Sequence, residues 1–133
     1  MAANSGFVLD SSALIAMVAG EPGAEVVATA LSEAIMSSVN LVECMTKLIQ
    51  RGGRPDQVER LLRGLDVPIE PWTEALAWES RDLCALAWTK GLSVGDRACL
   101  TLARARRRVA LTADRSWATL GLNVRVALIR EGR

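Results

Sequence analysis

The chain is predicted to be an α/β protein, a sandwich of helices around a parallel sheet, and two observations predict it. Short apolar runs alternate with longer stretches of helical period along the whole chain, the pattern of parallel strands joined by crossover helices. Glycine and proline punctuate the junctions, at Gly20-Glu21-Pro22-Gly23, at Gly52-Gly53 with Pro55, and at Gly91. With 133 residues, 50% of them hydrophobic, the chain suits a single domain over 1–133 that buries roughly two-thirds of its unfolded surface.

Residues 7–10 read as a short buried strand. Residues 12–20 follow as a helix capped by Ser11 or Ser12 and closed by Gly20. The Glu21-Pro22-Gly23 break leads into a second helix over about 24–33. Ile35-Met36-Ser37 is a second strand. The helix after it, about 39–51, places Leu41, Cys44, Met45, Leu48 and Ile49 on one face and ends at Gly52-Gly53. Pro55 starts another helix, to about 64. Val67-Pro68-Ile69 is a weak strand whose proline has no N–H to give and so belongs at a sheet edge. A long helix is expected from Thr73 to about Lys90, stopped by Gly91, and another from Val94 to about Arg107. Residues 109–112 make the clearest late strand and 124–128 a last one. Sites in such sheets lie at the carboxyl ends of the strands, where Asp10 and Asp114 fall.

Histidine is absent, which excludes imidazole acid–base ribonuclease chemistry, Ser-His-Asp and Cys-His nucleophiles, and His-ligated zinc. Any hydrolysis falls to carboxylates, lysine or a metal. Cys44, Cys84 and Cys99 lie in helical apolar stretches without ligand spacing and read as buried, reduced thiols. The net charge of +1 gives no general attraction to a polyanion, so a basic surface would have to be local. No apolar run reaches the ~18 residues of a membrane span, and Met1-Ala2-Ala3-Asn4-Ser5 lacks the form of a signal peptide; a soluble, cytoplasmic protein is expected.

Four acids stand where apolar or small-residue runs give way to polar chemistry. They are Asp10 after Phe7-Val8-Leu9, Glu43 in Ser38-Val39-Asn40-Leu41-Val42-Glu43, Asp96 in Leu92-Ser93-Val94-Gly95-Asp96, and Asp114 after Leu111-Thr112-Ala113. Taken singly, each has a plain explanation. Asp10 with Ser11 and Ser12 reads as a helix N-cap, Asp114 as a turn cap, and Ser93 with Asp96 as a capping box. Glu43 falls opposite the apolar face of its helix, beside Asn40, Thr46, Lys47 and Gln50, where a solvated Glu43–Lys47 pair would suffice.

Taken together and in order, from Phe7 to about Val126, the four motifs resemble those of the PIN-domain nucleases, especially the VapC ribonuclease toxins. The break at Glu21-Pro22-Gly23-Ala24-Glu25 matches that branch as well. The resemblance implies a PIN-like three-layer α/β/α sandwich around a short, mainly parallel sheet. It implies an Mg²⁺- or Mn²⁺-dependent endoribonuclease that cleaves RNA, such as tRNA or another structured RNA, to a 5′-phosphate and a 3′-hydroxyl. Asp10, Asp96 and Asp114 would ligate the metal, and Glu43 would ligate it or orient a water. Ser12, Asn40 and Thr112 would hold those carboxylates or waters in place. A small antitoxin whose tail blocks the acidic pocket, and a homodimer, are the implied protein partners.

An acidic pocket repels RNA, so a cationic rim is needed. Arg97 and Arg115 stand beside two of the acids, followed by Lys47, Arg51 and Arg54. Arg104-Ala105-Arg106-Arg107-Arg108 is the densest basic run and reads either as a helix C-terminus or as an RNA contact. Trp72, Trp78, Trp88 and Trp117 offer faces for stacking bases, but their helical spacing favours core or interface packing. Two other functions compete: a metal-binding RNA-recognition module without turnover, and a receiver-like signalling domain in which one aspartate accepts phosphate. The second needs a paired acid beside Asp10 and a late lysine, and no lysine follows Lys90.

Overall fold

Val8 and Leu9 face opposite sides of their strand, and the architecture grows from that alternation. Val8 packs with Ile35, Leu100 and Ala110, whereas Leu9 packs with Leu14, Met36 and Leu111. Two separate cores result, one on each side of the sheet. The computed structural model describes residues 6–131. Its elements run β1 (Phe7–Leu9), α1 (Ser11–Ala19), α2 (Ala24–Ala30) with a 3₁₀ turn at Leu31–Glu33, β2 (Ala34–Ser37), α3 (Ser38–Gln50) and α4 (Pro55–Gly64). They continue as β3 (Ile69–Glu70), α5 (Glu74–Glu79), α6 (Arg81–Ala85), α7 (Val94–Arg106), β4 (Val109–Thr112), a 3₁₀ turn at Arg115–Thr119, and β5 (Val126–Leu128).

The strands pair in the order β3-β2-β1-β4-β5, every pair parallel. Residues of α1, α2, α3 and α4 fill the core on one face, and residues of α5, α6 and α7 fill the other. This is the expected three-layer α/β/α sandwich. β3 lies at the edge, as its proline requires: Pro68 contributes only its carbonyl, which accepts from Met36 N at 3.0 Å. Gly23 closes the α1–α2 turn at φ 96°, and a Cβ there would strike Ile129 O.

Three expectations are corrected. The long helix over 73–90 is instead α5, α6 and a run of turns, because the buried Ser80 turns its hydroxyl back onto Ala77 O at 2.7 Å and breaks the ladder. Cys44 and Cys99 are buried free thiols, but Cys84 is exposed, beside that break. Helix α1 starts at Ser11 with Asp10 in the N-cap position, and no side chain caps it. Among the described residues no single helix is long and apolar enough to cross a membrane; Met1-Ala2-Ala3-Asn4-Ser5 lies outside them.

Helix α7 carries more of the core than any neighbour, with Ala98, Cys99, Leu100, Leu102 and Ala103 all buried against the sheet. Leu100→Ala should therefore cost about 2–5 kcal/mol, the range for emptying a leucine site in a close-packed core. Denaturant unfolding of the metal-free protein measures it, and a loss under ~1 kcal/mol would mean that this face is loosely packed.

Candidate active site

The strand order turns back on itself between β1 and β4, since β2 and β3 are added on one side of β1 and β4 and β5 on the other. A crevice opens outside the carboxyl ends of strands at such a reversal. Asp10 sits there, directly after β1, with its N–H donated to Leu111 O at 3.0 Å across the gap to β4. Its side chain is nearly out of water, at 4% exposure. Ser12 Oγ donates to Asp10 Oδ2 at 2.7 Å, and Thr112 Oγ1 donates to the same oxygen at 2.9 Å. The hydroxyls are held in turn, because Ser12 Oγ accepts from Ala113 N and Thr112 Oγ1 accepts from Asp114 N, each at 3.0 Å. The capping explanation of Asp10 therefore fails. Its carboxylate makes no capping bond to the helix and instead ties Ser12 of α1 to Thr112 of β4.

The other acids arrive from three directions. Asp114 follows β4, is exposed, and its Oδ1 accepts from Ser116 N at 2.9 Å and Ser116 Oγ at 2.7 Å. Its turn-capping role is real. So is the capping box of α7, in which Ser93 Oγ accepts from Asp96 N at 3.1 Å and Asp96 Oδ2 accepts from Ser93 N at 2.9 Å. Glu43 departs from the solvated reading. No ion pair joins it to Lys47 among the described residues; its Oε1 accepts from Asn40 Nδ2 at 3.0 Å. Asn40, expected on the polar face, is wholly buried and also donates to Gly95 O at 3.0 Å. That bond brings α3 against the start of α7.

The charges of these carboxylates act on one another in pairs, Glu43 on Asp10, and Asp10 and Asp114 on Asp96. Burial pushes the Asp10 carboxyl above its usual range, overcoming the hydroxyls that pull it down, and the charge of Glu43 adds to the rise. Asp96 is also raised, first by burial and then by the charges of Asp10 and Asp114. Cys99, buried beneath them, is pushed up by burial and by Asp10, Asp96 and Glu43. Among the described residues no three ligating side chains stand preassembled around an ion position. The donor set nonetheless suits a hard divalent cation: all four groups offer oxygen, and mutual repulsion is what such an ion relieves. Glu43, Asp96 and Asp114 each engage only one carboxylate oxygen in hydrogen bonds among the described residues.

The sequence matches the family model described as PIN domain over residues 7–121, a span that starts at β1 and takes in all four acids. The chain belongs to the PIN-domain family. PIN domains are nucleases that generally use divalent metals. No curated protein sequence matches this chain. Solved structures do, and show the fold. DNA-bound VapBC from Salmonella typhimurium aligns with a TM-score of 0.73 at 16% identity, over 95% of this chain and 99% of that one. A toxin–antitoxin complex from Klebsiella pneumoniae gives 0.70 at 20% identity, over 95% and 99%. VapBC-5 from Mycobacterium tuberculosis gives 0.63 at 21% identity, over 96% and 99%.

The basic residues of this PIN domain sort by partner. Arg51 pairs with Glu21, Arg54 with Asp56, Arg104 with Asp82 and Arg106 with Glu70, while Arg108 donates to Glu33 O. The dense run 104–108 is thereby structural at Arg104, Arg106 and Arg108, and it begins at the far end of α7, about 12–15 Å along the helix from Asp96 at 1.5 Å per residue. Lys47, Arg97 and Arg115 have no carboxylate partner among the described residues. Lys47 Nζ reaches Ser11 Oγ at 3.5 Å, and Arg97 leans on Ser93 O and on Cys84 Sγ. Of the tryptophans, Trp117 is core, whereas Trp78 and Trp88 are exposed. The residue that sequence reasoning missed is Gly95, whose signal was only its place beside Asp96.

Raised carboxyl pKa values mean that the folded chain binds more protons than the unfolded chain between about 3.9, the unfolded value, and the raised ones. Stability held back by Asp10 and Asp96 is thus recovered as pH falls through that window. Asp10→Asn, a neutral stand-in, should be more stable than metal-free wild type at pH 7, and the advantage should shrink towards pH 4. Melts across pH test this; an advantage that does not change with pH would mean that the buried charge carries no penalty.

Proposed function

We propose that this PIN domain is a metal-dependent endoribonuclease and the toxin of a bacterial type II toxin–antitoxin pair. What supports the nuclease reading is that Asp10 stands at the strand-order reversal with its carboxyl raised by burial and by the charge of Glu43, and that Asp96 is raised by burial and by the charges of Asp10 and Asp114, in a chain without histidine. A bound Mg²⁺ or Mn²⁺ supplies Lewis acidity to the phosphodiester and lowers the pKa of a water. Asp10, Asp96 and Asp114 are the ligands in this reading. Ser12 and Thr112 fix the Asp10 carboxylate through Oδ2, and Asn40 fixes Glu43 through Oε1, so neither acid has to be reoriented as substrate binds. Glu43 would ligate the metal or orient a water, and Lys47, Arg97 and Arg115 would receive the RNA phosphates.

The toxin assignment is supported by whole-length likeness: the Salmonella and Klebsiella complexes are covered over 99% of their matched chains. An antitoxin that covers the crevice, a homodimer and a cytoplasmic location belong to the same proposal. A receiver-like signalling role falls with the family assignment.

RNA cleavage by pure protein is expected with Mg²⁺ or Mn²⁺ and should vanish in EDTA. Asp96→Asn should lower it at least ~10²-fold, as for removal of a key electrostatic group, while the amide oxygen can still accept from Ser93 N. Undiminished cleavage in EDTA or by Asp10→Asn would sink the proposal. RNA binding without any turnover would favour the recognition module.

Alanine at Arg97 or Arg115 should weaken RNA binding evenly across sequences. It should also reduce the slope of log affinity against log salt by about one for each phosphate left without its cation. Filter binding between 50 and 200 mM salt, a range over which such pairing is strongly screened, decides it. An unchanged slope would return both arginines to structural roles.

A further inference from the structure

Gly95 occupies the second position of α7, and its backbone does not need glycine, since it is not among the residues of positive φ. Glycine in a helix costs stability relative to alanine, so its presence calls for another cause. Space is that cause. A Cβ on Gly95 would overlap both carboxylate oxygens of Glu43 and the carbon between them. The acid of α3 therefore lies on the α7 backbone, in the place a side chain would fill.

Asn40 completes the contact. Its Nδ2 donates to Glu43 Oε1 and to Gly95 O, both at 3.0 Å. Two acceptors on one side orient the amide, because the reversed amide would set its oxygen against both. Oδ1 is then left buried with no hydrogen-bond partner among the described residues, an arrangement that costs stability. An aliphatic residue would fill this site at lower cost, so what the amide contributes is its pair of donated bonds.

We propose that Gly95 and Asn40 are positioning residues, which seat the Glu43 carboxylate on the first turn of α7 and so set its distance from Asp96. Cation binding by the quartet depends on that distance. The consequence for metal rests on the nuclease reading; the contact rests on geometry alone, and the test separates them.

Metal-free melts of Gly95→Ala, alone and combined with Glu43→Ala, address the contact. With Glu43 present, alanine should give no gain in Tm or a drop. With Glu43 removed, the same change should raise Tm, by up to roughly 3 °C, the gain for a helix interior. An equal gain in both backgrounds overturns the contact. Calorimetric titration with MnCl₂ addresses the consequence. Gly95→Ala and Asn40→Leu should each weaken Mn²⁺ binding at least ~10-fold, as for groups that hold metal ligands in place, and Asn40→Leu should do so without lowering Tm. Glu43→Asp, whose shorter side chain leaves room for the new Cβ, should restore part of the affinity that Gly95→Ala removes, which general damage to the fold would not permit. In cleavage assays the defect should fall on kcat, with KM for RNA little changed. Wild-type Mn²⁺ affinity in both single variants overturns the positioning role alone. Wild type that binds no Mn²⁺ removes the nuclease reading and the cation claim together.

Discussion

Asp10 is a carboxylate taken out of water at the end of the central strand, and the two hydroxyls that make its burial tolerable also join the sheet to the site. Ser12 reaches it from the first turn of α1 and Thr112 from the last residue of β4. Because each hydroxyl is itself held by a backbone N–H of the chain after β4, the carboxylate, the helix start and the strand end are joined in one hydrogen-bond network. A buried charge with fewer partners would shift its pKa and neutralise. Here the hydrogen bonds offset only part of the effect of burial, and the charge of Glu43 adds to what remains.

Helix α7 converts that local arrangement into a constraint on the whole molecule. Its first turn carries the capping box, Gly95 and Asp96 at the crevice, and its middle packs into the core beneath β1 and β4. Its last turn holds arginines paired to Asp82 and Glu70 on neighbouring elements. Core packing therefore sets where Asp96 stands, while the ion pairs at the opposite end, a two-bond Arg104–Asp82 pair among them, tie that end to neighbouring elements. The same geometry separates two kinds of cation. Those at the far end are satisfied by carboxylates, whereas Lys47, Arg97 and Arg115 near the acids are not.

The strands, most helices and the edge position of β3 are legible in the residues, because alternation, glycine breaks and a proline without an N–H act locally. The single helix expected over 73–90 fails for the opposite reason. Its apolar spacing continues through Ser80, and only the fold buries that serine and turns its hydroxyl onto Ala77 O. Cys84 follows the same error, since the helical face expected to bury it does not exist.

The sequence by itself determined the four acids, their order, the absence of histidine and the alternation that places Asp10 and Asp114 at strand ends. These depend on composition and on periods of two and 3.6 residues, which any window of the chain displays. The use of each acid was decided by tertiary structure. Capping and clustering differ in what approaches from elsewhere: for Asp10 it is Thr112, distant in sequence, and for Glu43 it is the bare backbone of Gly95. Asn40 shows the same divide. Helical spacing assigns it to the polar face, and only the packing of α3 on α7 buries it there with two bonds to give.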